Sequence, residues 1–342
     1  MDILTQGIVG AVAAQAVANK ENSRKATVIG FIAGLPADAD ILIRSNADSL
    51  LVLEFHRQFT HSLLFIPLGG LLVGWVLWQL YFRKQPVDFK TVFRFALAGY
   101  ATSGLLDACT SYGTQLLWPF SDARIAWSIV SVVDPLFTGL LIVCLILGWK
   151  KTAPRMAQIG MVLGLSYLVL GVVQQGRAEA VVRDLAQKRG HTIERLVVKP
   201  TMGNLILWRG VYEHQARFYI DAVRVCYIES PQYQAGGSVA KFDAATPPPG
   251  IDISSTTAQD IVRFNRFSDG YLSWHPERMN VLGDVRYALL PTSPLPLWGI
   301  ELDQNNPENH VEFKNFRDTS KATIDAFMEM LTGEDAGWER MG

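Results

Sequence analysis

The sequence predicts an α-helical membrane domain of about six helices over residues 1–175, then a soluble α+β domain of mainly antiparallel strands over 176–342. Three observations predict this. Apolar runs dominate the first half, basic residues gather in every second connection between those runs, and the second half alternates β-branched or aromatic residues with polar ones. At 342 residues there is room for two domains.

Composition alone hides the division. Apolar residues make up 49% of the chain and charged residues 18%, with a formal net charge of −1. That charge gives no global basic footprint, so composition argues against a nucleic-acid partner. Cys109, Cys144 and Cys226 lack metal-knuckle spacing, and a disulfide framework is not expected. The N-terminus has no basic region ahead of its apolar run, as Asp2 is the first charge and Lys20 the next basic residue. Residues 3–18 are therefore expected to be retained.

A span needs roughly 20 mostly apolar residues. Residues 61–82, 129–149 and 156–173 approach or meet this, and 93–106 continues apolar through Trp118. Segments 3–18 and 26–35 are shorter and rich in Gly and Ala, which suits close helix packing through Gly30 and Gly34 or a partly inserted pair. The connections orient the set. Lys20, Arg24, Lys25, Arg83, Lys84, Lys90, Arg94, Lys150, Lys151 and Arg155 fall on one side, against Arg44, Arg57 and Arg124 on the other. The positive-inside rule makes the first side cytoplasmic and places the C-terminal domain outside the cytoplasm.

In the second half, 177–189 carries alternating charges as a solvated helical stalk would. Strand patterns follow at 193–198, 205–212, 216–225, 270–274, 285–290, 298–302 and 311–316. Residues 229–258, with the Pro247-Pro248-Pro249-Gly250 run, read as a long loop, and 319–332 as an amphipathic closing helix. His191, His214, His275 and His310 are scattered, and Trp208, Trp274 and Trp298 suit a core.

The threading puts Asp38 and Asp40, His56 and His61, Asp107 and Asp134 at the same non-cytoplasmic face. Imidazole and carboxylate together suit a divalent ion such as zinc or manganese. Each residue also has a plainer reading. Asp38 and Asp40 suit a turn and a helix cap after Pro36, and Asp134 before Pro135 suits an N-cap. His56 and His61 could cap a helix or sit in an interfacial belt. Asp107 ends an apolar helix, where a carboxylate is costly unless paired or metal-bound. Arg57 could hold a substrate phosphate or carboxylate, or neutralise the acids around it. Thr60 could orient a ligand residue by a hydrogen bond.

The run His56-Arg57-x-x-Thr60-His61-Ser62 with the upstream Asp38-x-Asp40 turn resembles the YdjM-like family of inner-membrane, LexA-binding, metal-dependent hydrolases of bacteria. Asp107-x-x-Thr110-x-Tyr112-Gly113, Leu116-Leu117-x-Pro119-Phe120-Ser121 and Asp134-Pro135-Leu136 resemble it too, as do Gly283–Tyr287 and Pro296–Ile300 in the tail. Two positions depart from the family pattern. Gln58 stands where glycine is common, and Ala37 where the first aspartate often comes.

The resemblance implies a divalent metal centre in the bacterial inner membrane, with Asp38, Asp40, His56, His61, Asp107 and Asp134 as ligands. A metal-activated water, with Glu54 or one of the aspartates as general base, would then hydrolyse an ester or phosphoester. A site opening at the outer leaflet of that membrane would take a lipid or lipid-linked substrate. One rival is a non-enzymatic membrane anchor presenting a β-rich domain to an envelope protein. A transporter would instead place its charges near mid-span, not at one end.

Overall fold

The structure, a computed structural model, describes residues 1–334 and 337–340. It divides into two compact units: residues 1–42, 55–173 and 202–204 form one, and 43–54, 174–201 and 205 onward form the other.

The first unit is helical. Helix α1 (Ile3–Ala16) starts where the Asp2 side chain accepts from Thr5 N, and α2 (Ser23–Ala33) folds back onto it. Small residues set their separation: a Cβ on Gly10 would stand 2.5 Å from Gly30 O, and one on Gly34 would stand 2.6 Å from Gln6 O. Helix α5 (Phe89–Ala108) joins this pair by the same device, as a Cβ on Gly99 would lie 2.6 Å from Gly30 O. Helix α4 (Ile66–Leu77) continues into a π-helical turn (Trp78–Phe82) and packs on α5, with Gly69 beneath the Tyr100 ring. Helix α6 (Pro135–Lys151) has Pro at its first turn, where the missing N–H costs nothing, and α7 (Pro154–Lys188) follows.

Of the six expected membrane helices, α7 is the one among the described residues that is long and apolar enough to span by itself. The stretches Leu51–His61 and Ile66–Phe82 pass only together, bent by 85°. Length explains this for α1, whereas the 20-residue α5 is long enough but carries Lys90, Arg94 and Asp107. At ~1.5 Å per residue, the 14 residues of α1 reach about 21 Å, short of the ~30 Å hydrocarbon core. Outward apolar side chains are nonetheless abundant on α4 (Leu68, Leu72, Trp75), α6 (Leu136, Val143) and α7 (Val162, Val169, Val173). Surfaces of this kind mark membrane or protein contact.

The second unit holds two antiparallel sheets. Strands β1 (Arg195–Pro200), β2 (Leu207–His214), β3 (Arg217–Arg224), β4 (Gln232–Ala240) and β9 (Glu339–Arg340) form one in that order. Strands β5 (Leu272–Trp274), β6 (Val281–Asp284), β7 (Trp298–Glu301) and β8 (Glu312–Asn315) form the other, a meander. A core of Val211, Phe218, Ile220, Val239, Tyr271 and Val285 draws on residues of both sheets or their flanks. Trp208 and Trp298 are buried as expected of core aromatics, whereas Trp274 is 40% exposed.

Three sequence expectations are corrected here. The stretch 177–189 is no solvated stalk: it belongs to α7 and buries Ala178, Val181, Val182, Leu185 and Ala186 along one face. The supposed loop 229–258 contains β4, whose Gly236 and Gly237 run against the 292–294 segment too closely for side chains. It also runs into α8 (Thr256–Phe267), capped by Ser255. Residues 285–290 are not a strand, because their turn is gathered by Arg209, whose guanidinium donates to the carbonyls of Val285, Leu290, Pro291 and Ser293.

The α1–α2–α5 junction gives a direct test. Gly30→Val would drive a side chain into Ala14 and the Gly10 carbonyl, so the variant is expected to lose about 1–3 kcal/mol of stability. Thermal unfolding in detergent should show a lowered midpoint, whereas Gly139→Ala, which meets nothing within 4 Å, should leave it near wild type.

Candidate metal centre

Three segments of the first unit converge. The 3₁₀ turn Pro36–Leu42 carries Asp38 and Asp40, the turn through 56–62 carries both histidines, and the end of α5 carries Asp107. Helix α5 meets the histidine turn along one face, with Tyr100, Ser103, Gly104 and Asp107 at helical spacing. The Tyr100 hydroxyl donates to Thr60 O at 2.8 Å, Ser103 Oγ donates to Gly34 O at 3.0 Å, and Gly104 has no room for a Cβ beside the His61 carbonyl.

The turn itself is shaped by Arg57, whose φ of +64° lies in the left-handed region. Such a backbone costs on the order of 1 kcal/mol in a non-glycine residue. Two bonds hold it: Arg57 N donates to Asp40 Oδ2 at 2.9 Å, and Gln115 N donates to Arg57 O at 2.9 Å. Gln58 has a φ of −99°, so the glycine common at that position in the family is not needed for a left-handed backbone here.

His61 is the centre of the arrangement, with a fully buried side chain. Its Nε2 lies 3.2 Å from Asp38 Oδ1 and 3.1 Å from Asp107 Oδ2, yet makes hydrogen-bond geometry with neither. Its Nδ1 lies 3.0 Å from Thr60 Oγ and 3.3 Å from Asp40 Oδ2. His56 Nδ1 lies 2.8 Å from Asp40 Oδ1. Asp107 is closed in by the Met1 ammonium, by Gln6 Nε2 at 3.2 Å and by Arg57 Nε at 3.4 Å. The Arg57 guanidinium also donates to Thr110 Oγ at 3.1 Å and lies 5.3 Å from the Tyr112 ring centroid.

Two groups have ligand atoms all within 4.8 Å of one another: Asp38, His61 and Asp107, and then Asp38, Asp40 and His56. The first fits a divalent ion well. Ligands at ~2.1 Å in a tetrahedron stand about 3.4 Å apart, and the two edges from His61 Nε2 measure 3.1 and 3.2 Å. Asp38 Oδ1 and His61 Nε2 are buried without a hydrogen-bond partner. Orphaned polar atoms inside a protein are costly, and a cation between them would satisfy both.

Two of the residues singled out from sequence have partners of their own. Asp134 is the N-cap of α6: Oδ1 accepts from Phe137 N at 3.0 Å and Oδ2 from the Tyr167 hydroxyl at 2.9 Å. Glu54 belongs to the second unit, where Arg263 holds it by two bonds of 2.7 and 3.0 Å. The same guanidinium pairs with Asp48 and Asp260, which with His310 make a third group of ligand-type atoms. Here the acids already have their cation, and His310 Nδ1 is bound to Asp260 at 2.9 Å. Gln6 and Tyr100 went unnoticed in the sequence. Their signal was available, since each is a polar group inside an apolar helix with nothing local to bond.

Residues 1–178 match the family described as "YdjM inner membrane protein". The chain is also similar to the "Uncharacterized protein YfhP" of Bacillus subtilis (strain 168), 22% identical over 268 residues, covering 77% of this chain and 76% of that protein. No solved structure matches the chain.

The position of Asp134 predicts a separable phenotype. Asp134→Ala removes the cap of α6 and its bond from the Tyr167 hydroxyl, so about 1–3 kcal/mol of stability should be lost. Metal content per chain, read by elemental analysis of the folded protein, should equal that of wild type.

Proposed function

The chain belongs to the YdjM inner membrane protein family, and on that premise we propose that it is a metal-dependent hydrolase of the bacterial inner membrane. The observation that carries this reading is His61 Nε2, buried and unbonded between two carboxylates from different segments. Asp38, His61 and Asp107 would hold the cation, with zinc or manganese suited to the mixed donors.

Held by Asp38, His61 and Asp107, a divalent ion would supply an activated water and a Lewis acid toward the scissile oxygen. The chain's own residues supply the rest. Arg57, tied to Asp107 and Thr110, keeps the buried acids close by offsetting their charge. Asp38 retains 15% side-chain exposure and gives a displaced proton a route to solvent. An unliganded carboxylate, Glu54 or one of the aspartates, would serve as general base.

The substrate class follows from where such a site would sit. A reactive centre among helices with outward apolar side chains suits an ester or phosphoester of an amphiphile, such as a lipid or lipid-linked molecule. In this reading the chain is multi-pass, with the second unit periplasmic and free to select substrate or meet an envelope protein. The alternation of basic connections supports that orientation. A phosphatase fused to the C-terminus should be active and one fused after Lys84 inactive; the reverse result would overturn the topology.

The non-enzymatic anchor remains the competing reading, because the Met1 ammonium and Arg57 already offset part of the acidic charge. Elemental analysis separates the two. Purified wild type is expected to carry stoichiometric zinc or manganese, and His61→Ala to lose it, with hydrolysis of lipid phosphoesters or esters falling at least ~100-fold. Equal metal content in both proteins would remove the hydrolase reading.

A further inference from the structure

We propose that Asp40 is a positioning residue and not a ligand: its carboxylate fixes the imidazoles of both His56 and His61 with Nδ1 as the proton donor, so that His61 offers Nε2 to a cation. This rests on the metal-centre reading given above, and it separates two aspartates that share one turn.

The argument is a count of donors and lone pairs. The Asp40 side chain is fully buried, and both its oxygens are engaged. Oδ1 faces His56 Nδ1 at 2.8 Å. Oδ2 accepts the Arg57 backbone N–H at 2.9 Å and the Thr60 hydroxyl at 2.7 Å, with His61 Nδ1 a further 3.3 Å away. An ionised carboxylate can only accept, so the ring nitrogen of His56 facing it must carry the proton. At His61 the same conclusion comes through Thr60. That hydroxyl spends its one proton on Asp40, and can meet His61 Nδ1 at 3.0 Å only as an acceptor. A neutral imidazole protonated at Nδ1 keeps its lone pair on Nε2. In His61 this is the atom that lies between Asp38 and Asp107 with no hydrogen-bond partner.

Asp38 behaves differently. Its Oδ1 is buried with no hydrogen-bond partner and points at His61 Nε2. Moving Asp40 into a coordination shell would strip donors from Oδ2 and free the left-handed Arg57 from one of the two bonds that hold its backbone. Moving Asp38 in would cost none of these. A carboxylate behind a metal-bound histidine is the arrangement by which proteins fix ring orientation and raise ligand basicity. Here one carboxylate serves two rings, whose centroids lie 6.1 Å apart.

The test compares wild type with Asp40→Asn, both purified in detergent and titrated with Zn²⁺ and with Co²⁺ alone. Asparagine keeps the size of the side chain but presents two donor hydrogens where the carboxylate only accepts. The expected result is unchanged stoichiometry, affinity lowered ~10- to 100-fold, and a Co²⁺ visible spectrum of the same band shape. Loss of a whole equivalent of metal, or a Co²⁺ spectrum showing a changed ligand set, would make Asp40 a ligand and overturn the proposal. If Asp40→Asn does not fold, Thr60→Val breaks the relay at His61 alone; it should weaken binding at constant stoichiometry, and undiminished affinity would overturn the proposal. No metal in wild type would sink the metal-centre reading itself, an outcome distinct from either.

Discussion

The His61 carbonyl lies against α5 so closely that Gly104 admits no side chain between them. That contact fixes how near Asp107 comes to the histidine turn, and much of the first unit is arranged to permit it. Tyr100 and Ser103, on the same face of α5, tie the helix to Thr60 O on one side and Gly34 O on the other. Glycines at 10, 30, 34 and 99 then let α1, α2 and α5 approach to backbone distance. Such packing without hydrogen-bond satisfaction would be a liability, because three carboxylates and an imidazole meet in an interior that penalises charge. The bonds to Asp40 and the cations beside Asp107 are what make the approach tolerable.

Much of this was legible in the sequence. Asp38, Asp40, His56, His61 and Asp107 stand in two overlapping groups in the structure, and side-chain chemistry with the family resemblance had grouped them. Asp134 was grouped with them by the same logic, and it caps α6. Its local context, a carboxylate before Pro135 at the head of an apolar run, had pointed to the N-cap it forms. Capping is decided by neighbours within four residues, whereas a shared site is decided by contacts a hundred residues distant, which topology constrains only to one face. Glu54 shows the same limit. It lies two residues before His56, yet Arg263, more than two hundred residues on, holds it.

The secondary structure divides in the same way. Segments with strong intrinsic signals, such as α1, α5, α6, β2 and β3, lie within a few residues of where periodicity puts them. Strand β4 was hidden because Gly236 and Gly237 are poor strand formers alone. They fit because the 292–294 segment crosses there and leaves no room for side chains. Conversely, residues 285–290 have strand composition but not strand structure. Arg209 takes up the Val285 and Leu290 carbonyls from β2, so those groups are satisfied without a ladder. Buried face against buried face likewise turned 177–189 from a charged stalk into the inner side of α7.

Two clusters of similar composition show what separates a candidate ion site from an ordinary salt-bridge network. Asp48, Asp260 and His310 offer the same ligand types as Asp38, His61 and Asp107, with atoms equally close together. Arg263 resolves the first: its five donors reach Asp48, Glu54 and Asp260, and His310 takes Asp260 as its partner. A planar guanidinium spans three carboxylates because its donors fan outward in a fixed fork. In the second cluster the guanidinium of Arg57 reaches Asp107 only from the side, and is turned toward Thr110 and the Tyr112 ring. It lowers the cost of the buried charge but leaves His61 Nε2 and Asp38 Oδ1 without hydrogen-bond partners. A folded chain ordinarily removes such orphans by repacking or by water. Their position here, with donors fixed behind them and two anions in front, is a local condition that suits a divalent ion.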